Sequence, residues 1–117
     1  MLPAVHRLRS SSVFSTVTRE GSRARRENVL AYCQATHAPH APQVGLIVGK
    51  QVGNSVARHR VSRQLRAALT HVVATWPAGT VVVLRALPGA YSSGDLQEQA
   101  QSAAASAVAR AHQASTP

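Results

Sequence analysis

VGNSVARHRVSRQLR, residues 52–66, carries four arginines and no acid, and Lys50 stands just before it. Wound as a helix from about residue 55, it splits into two faces. Val61, Leu65, Ala68, Leu69, Val72 and Trp76 gather on one side. His59, Arg60, Arg63 and Arg66 fall on the other, within an arc of about 120° at roughly 100° per residue. Arg58 lies nearer the apolar edge, but in the first turn, where its long stem can carry the charge past a neighbouring layer. A merely solvated helix surface would interleave Glu or Asp with the arginines. The pattern therefore predicts a helix that packs on a sheet and turns a cationic face outward. It should run from about Ser55 to Thr75, with Pro77 and Gly79 ending it. Gly53 allows an unusual backbone angle or a close approach. Asn54 or Ser55 caps the helix, and the N–H groups left over can meet a phosphate.

Working outward, QVGLIVGK (43–50) reads as a strand whose apolar density suggests a central place in a sheet. TVVVLRA (80–86) is a second, strongly β-branched strand. VLAYCQ (29–34) alternates as a strand does, and the basic piece SRARREN (22–28) leads into it. Ser11 or Ser12 can cap a short helix with Val13, Phe14 and Val17 on one stripe, ended by Gly21. THAPHAP (36–42) is a loop, and LPGAYSSGD (87–95) is another, offering Ser93 or Asp95 as a cap. LQEQAQSAAASAVARAH (96–112) is a last helix with a small-residue packing face. The order is helix, strands, helix, strand, helix: one two-layer α/β sandwich over residues 1–117. An extended basic arm (1–10) precedes it, and 113–117 is a fraying tail.

Composition narrows the partners. Thirteen Lys or Arg oppose four acids, a net charge of +9, and no acid lies between Glu27 and Asp95. Such a field captures polyanions. Twelve of the thirteen cations are Arg, which suits bidentate phosphate contacts. Aromatic residues are only 3%, so any site for unpaired bases rests on one or two rings. A single cysteine, Cys33, forbids an intrachain disulfide and fits a cytoplasmic protein. No run resembles a signal peptide or spans a bilayer, so no membrane partner is expected.

Groups for autonomous cleavage are sparse. Four acids make no two-metal carboxylate cluster. Asp95 and Glu98 suit a helix N-terminus better. His59 has no acid partner nearby in the chain. Cys33, His37 and His40 supply three ligands around a proline loop, too few for a closed zinc site.

The segment from Lys50 through Val52-Gly53-Asn54 to Arg58-His59-Arg60 and Arg63 resembles the central motif of the protein subunit of bacterial ribonuclease P. Val44-Gly45-Leu46-Ile47-Val48 resembles the strand that feeds that motif. His6-Arg7-Leu8-Arg9 and Phe14 resemble the family's arm and first-helix phenylalanine, and Val81 to Arg85 its late strand. His59 stands where the family has asparagine, while Ser62 and Gln51 replace basic residues. The resemblance implies a four-stranded sheet with three helices in αβββαβα order and a left-handed crossover around the motif helix, against the usual hand. It implies the protein subunit of a ribonucleoprotein endoribonuclease that removes the 5′ leader from precursor tRNA. On that likeness Lys50, Asn54, Arg58, His59, Arg60, Arg63 and Arg66 bind the catalytic RNA, and Arg7, Arg9, Phe14, Arg23, Arg25 and Tyr32 bind the single-stranded leader. It also implies that Mg2+ is held mainly by RNA phosphates, that the catalytic groups belong to the RNA, and that no obligate protein partner is needed. The main alternative is a ribosomal or RNA-chaperone protein with no part in cleavage. A DNA-binding helix has less support, since arginines that face phosphates read no bases.

Overall fold

The computed structural model describes residues 2–36 and 38–114. Helix α1 spans Ser11–Glu20, strands β1 to β3 span Ser22–Arg26, Val29–Ala35 and Gln43–Ile47, α2 spans Ser55–Thr70, β4 spans Thr80–Ala86 and α3 spans Leu96–Ala114. Short 3-10 turns cover Ala4–His6, Lys50–Val52, Val73–Thr75 and Pro88–Ser92. The four strands form one mixed sheet in the order β1-β2-β4-β3. β1 with β2 and β2 with β4 are antiparallel, while β3 and β4 are parallel and joined through α2. The αβββαβα order is the expected one.

Alternation along the strands gives the sheet two unlike faces. Ala24, Val29, Ala31, Cys33, Val44, Val82, Leu84 and Ala86 share the main core with Val61, Leu65 and Leu69 of α2 and Ala100, Ala103, Ala104 and Ala107 of α3. The alanine stripe lets α3 lie close along β1 and β2. On the other face Tyr32, Val81 and Val83 join Leu8 and Val17, with Val13 and Phe14 packed against them. Only α1 and the arm cover that side, so part of it stays open.

Several expectations are corrected. β3 is an edge strand, not a central one; β4 holds the middle. An apolar run reports that both faces of a strand are covered, not how many neighbours it pairs with. The arm closes the β3 edge: the Leu8 N–H donates to the Val44 carbonyl at 2.9 Å, and Arg7 bridges Val44 in parallel sense. The arm itself is not simply extended, since it turns at Ala4–His6 and buries Leu2. α1 is capped by Ser10, whose hydroxyl accepts from the Val13 N–H, rather than by Ser11 or Ser12. α2 ends at Thr70, five residues early. Pro77 forces Trp76 into extended backbone, and the β-branched Val72 and Val73 tighten into a 3-10 turn that drops Val73 into the core. The tail expected over 113–117 is helical as far as Ala114, and its last three residues lie outside the described ones, as does His37.

One buried side chain ties the β1–β2 hairpin to α3. Gln99, only 5% exposed, donates through Nε2 to Asp95 (2.7 Å) and Glu27 (3.3 Å), and its Oε1 accepts from the Asn28 N–H at 3.0 Å. Glu27 sits at φ +49°, a left-handed angle that costs a non-glycine residue about 1–2 kcal/mol. The Arg25 guanidinium, donating to the Glu27 carbonyl at 3.0 Å, and Gln99 together hold it there. Asp95 also stands at the head of α3, its carbonyl accepting from the Gln99 N–H. Two of the four acids thus serve the scaffold.

Gln99→Leu should leave the Asn28 N–H unpaired and lower the unfolding free energy by about 1–3 kcal/mol in urea titrations; an unchanged midpoint would show that the hairpin is held elsewhere. Cys33 is a second check. Burial pushes its thiol from 9.0 up to about 12. The fold favours the neutral thiol, so this contribution is complete below the unfolded value of 9.0 and is lost as pH rises toward about 12. Near pH 8 the native protein should resist a thiol-specific reagent, and the protein unfolded in guanidinium should react fully.

Candidate nucleic-acid interface

The path from β3 into α2 is built by glycine and asparagine. After the Lys50–Val52 turn, Gly53 takes φ 152° and ψ −164°, a region essentially closed to other residues. A Cβ there would also come within 2.8 Å of the Ala57 Cβ. Asn54 then caps α2, its Oδ1 accepting from the Ala57 N–H at 3.0 Å. Asn54, which the resemblance assigns to the RNA, gives its Oδ1 to the helix and so also aims α2.

With Ala57, Val61, Leu65, Ala68 and Leu69 buried, the helix turns its cations outward. His59, Arg60, Arg63 and Arg66 are exposed, as is Lys50 in the preceding turn. Arg58 is half-buried, and its Nε has no hydrogen-bond partner within the protein. It lines an opening of about 210 Å³ with Val48, Ser55, His59 and Ser62. A guanidinium with a free N–H, two hydroxyls and an imidazole around one opening suit an anionic oxygen. Ser62, which departs from the family motif, lies inside this opening and supplies a donor in place of a charge.

The structure regroups the arginines of the arm. Arg7 lines an opening of about 400 Å³ with Arg63, Arg66 and Ala67. An adjoining one of about 250 Å³ is lined by Arg7, Arg9, Phe14, Gly45 and Arg66, among others. Arg7 and Arg9, assigned from sequence to the leader with Phe14, therefore also border the arginine face of α2. The arm is held in place: the Arg7 Nε donates to the Leu2 carbonyl at 3.0 Å, and His6 Nδ1 lies 2.7 Å from the Pro42 carbonyl oxygen. Phe14 is half-buried, its ring lying directly over Gly45, where a Cβ would come within 2.3 Å of it.

Across the open sheet face run two rows set by strand register. Arg23, Tyr32, Val83 and Gly45 make one; Arg25, Leu30, Arg85 and Ile47 make the next. Tyr32 is only 4% exposed. The Arg23 guanidinium lies 5.3 Å from its ring centre and that of Arg85 lies 5.9 Å away. The structure thus offers the guanidinium roof over Tyr32, rather than a bare ring, to anything that enters. Arg85 was missing from the candidate residues. Its signal was a lone charge in the apolar run of β4, at a position whose side chain points to the open face. Its Nε, like that of Arg58, lacks a protein partner.

Carboxylates do little to neutralise this surface. Among the described residues Arg19–Glu20, at 3.4 Å and exposed, is the one ion pair. No three His, Cys, Asp or Glu side chains among them come together as metal ligands. The arrangement can bind and orient polyanions through guanidinium, hydroxyl and amide donors.

The comparisons agree with this picture. The Ribonuclease P family model matches residues 2–111. The ribonuclease P protein component of Corynebacterium diphtheriae is 44% identical over 111 residues, covering 88% of this chain and 93% of that protein. Those of Rhodococcus opacus and Kocuria rhizophila are 45% and 42% identical, covering 85% and 94% of this chain and 86% and 98% of theirs. Among solved structures, the Staphylococcus aureus RNase P protein superposes with a TM-score of 0.69 at 19% identity, covering 91% of this chain and 94% of that one. The Thermotoga maritima protein gives 0.59 at 20% identity over 79% and 77%. These two speak for the fold. With the family model spanning nearly the whole chain and relatives above 40% identity matched over most of their length, this chain belongs to the ribonuclease P protein family, as the protein subunit of that tRNA-processing endoribonuclease.

Proposed function

We propose that the arginine face of α2 docks the catalytic RNA and that the open sheet face receives the single-stranded 5′ leader of precursor tRNA, with the arm lying between them. The observation that carries this reading is the continuity of the cationic surface around the β3 edge. Arg66 of α2 shares one opening with Arg7, Arg9 and Phe14, and that opening borders the sheet face. One RNA docked on the helix would thus hold its substrate against the neighbouring face, converting two encounters into one oriented complex.

In this division of labour the protein binds, orients and neutralises. Hydrolysis of the phosphodiester is carried by the RNA, with Mg2+ held mainly by RNA phosphates; the metal would supply charge neutralisation and an activated water there. Arginines close to clustered phosphates lower their mutual repulsion, so less magnesium is needed to hold the folded RNA. The reading places the protein in the cytoplasm; among the described residues no helix is long and apolar enough to cross a membrane.

Precursor tRNA incubated with protein alone should stay intact. With the homologous RNA it should be cleaved at a lower magnesium concentration than with RNA alone. Cleavage by the purified protein without RNA would overturn the proposal. Replacing Arg58, Arg60 and Arg63 together by Gln should weaken binding of the catalytic RNA and reduce its log–log salt slope by about 2–3. A slope equal to wild type would mean that this face meets no phosphate.

A further inference from the structure

We propose that Tyr91, held beside Arg60, is a stacking platform for an unpaired base of the catalytic RNA. This rests on the reading of α2 as the RNA-docking helix and adds a contact outside the motif. Tyr91 is 46% exposed, while Tyr32 is buried and Phe14 and Trp76 are half-buried, so it is the one exposed Phe, Tyr or Trp ring among the described residues. The Arg60 guanidinium stands 5.8 Å from its centre. Val56, 73% exposed, lies one turn before Arg60 on α2. A cation, a ring and an apolar side chain thus lie side by side on a surface with no acid from residue 28 to residue 94.

The ring is presented by a pinned loop. Ala90, its neighbour in the chain, is buried. The Leu87 N–H donates to the Asn28 carbonyl at 2.9 Å, and Asn28 Nδ2 donates to the Ser93 hydroxyl at 2.6 Å. Gly89 fits tightly against the Asn28 side chain, since a Cβ there would lie 2.5 Å from its Oδ1. Both ends of the Pro88–Ser92 turn are therefore fastened to the β1–β2 hairpin, and Tyr91 projects from a fixed base. A rigid, exposed aromatic beside a guanidinium suits a base that stacks while its phosphate meets the cation. A second copy of this chain suits the patch poorly, because it would bring another +9 charge to the same surface.

Binding of full-length protein to homologous ribonuclease P RNA, measured across a salt series, tests the platform. Tyr91→Ala and Tyr91→Leu should each weaken binding by about 5- to 100-fold without altering the salt slope, since stacking neutralises no phosphate. Tyr91→Phe should bind within about twofold of wild type, because the ring is retained. Arg58→Gln with Arg63→Gln is the control for the docking face and should lower the slope by about 2. If both ring-less variants bind like wild type while the arginine control weakens, the platform is wrong and the docking face stands. If the control also binds like wild type, the docking face falls with it. A photoreactive phenylalanine analogue at position 91 should cross-link to the RNA; a cross-linked protein dimer in its place would overturn the proposal.

Discussion

The burial of one stripe on α2 is the constraint from which the functional surface follows. Val61, Leu65 and Leu69 are fully enclosed with Val82 and Leu84 of β4 and Val44 of β3. Each such side chain is worth about 1.5–3 kcal/mol removed from water. Against that stands repulsion between neighbouring arginines on the outer face, Arg60 with Arg63 and Arg63 with Arg66, at about 0.2–0.5 kcal/mol per pair. Burial wins by a wide margin, so the helix tolerates its cations and its rotation about its own axis is settled. Once it is settled, every arginine of the motif has a direction. Gly53 and the Asn54 cap fix where the helix begins, and so where along the β3 edge those arginines stand.

The same economy of acids runs through the molecule. Glu27 and Asp95 meet at Gln99, and Glu20 pairs with the adjacent Arg19. These contacts hold a hairpin and sit at helix ends, leaving the guanidiniums of α2, the arm and the open sheet face without carboxylate partners close by. Two of those guanidiniums, Arg58 and Arg85, even carry an enclosed N–H with no protein acceptor. Such groups are costly to leave unmade. Under the proposed function, an RNA phosphate is the acceptor that these donors lack within the protein.

The elements were legible to very different degrees. α2 and β4 stood out because their periodicities are strong and agree with burial. β1 was harder, since SRARR offers only Ala24 to the core and its other side chains are polar. The end of α2 is masked because Val72, Val73 and Trp76 continue the apolar pattern, although Pro77 and the β-branched pair pull the backbone into a tighter turn. The edge position of β3 leaves no local trace, because its apolar run reports covered faces and the segment that closes its edge is distant in the chain. The resemblance implies a ring at Tyr32, and only the fold shows that Arg23 and Arg85 close over that ring from two other strands.

The sequence by itself determined the family, the order of elements, and which face of α2 is cationic. Those depend on local spacing and on motif residues adjacent in the chain, where 100° per residue does the geometry. Tertiary structure decided the company each cation keeps. It set Arg7 and Arg9 beside Arg66, laid two guanidiniums over Tyr32, and brought the exposed Tyr91 against Arg60. Those meetings join residues on different elements, most of them tens of positions apart. They follow from strand register and from how the arm and the Pro88–Ser92 turn pack, and no local pattern encodes them.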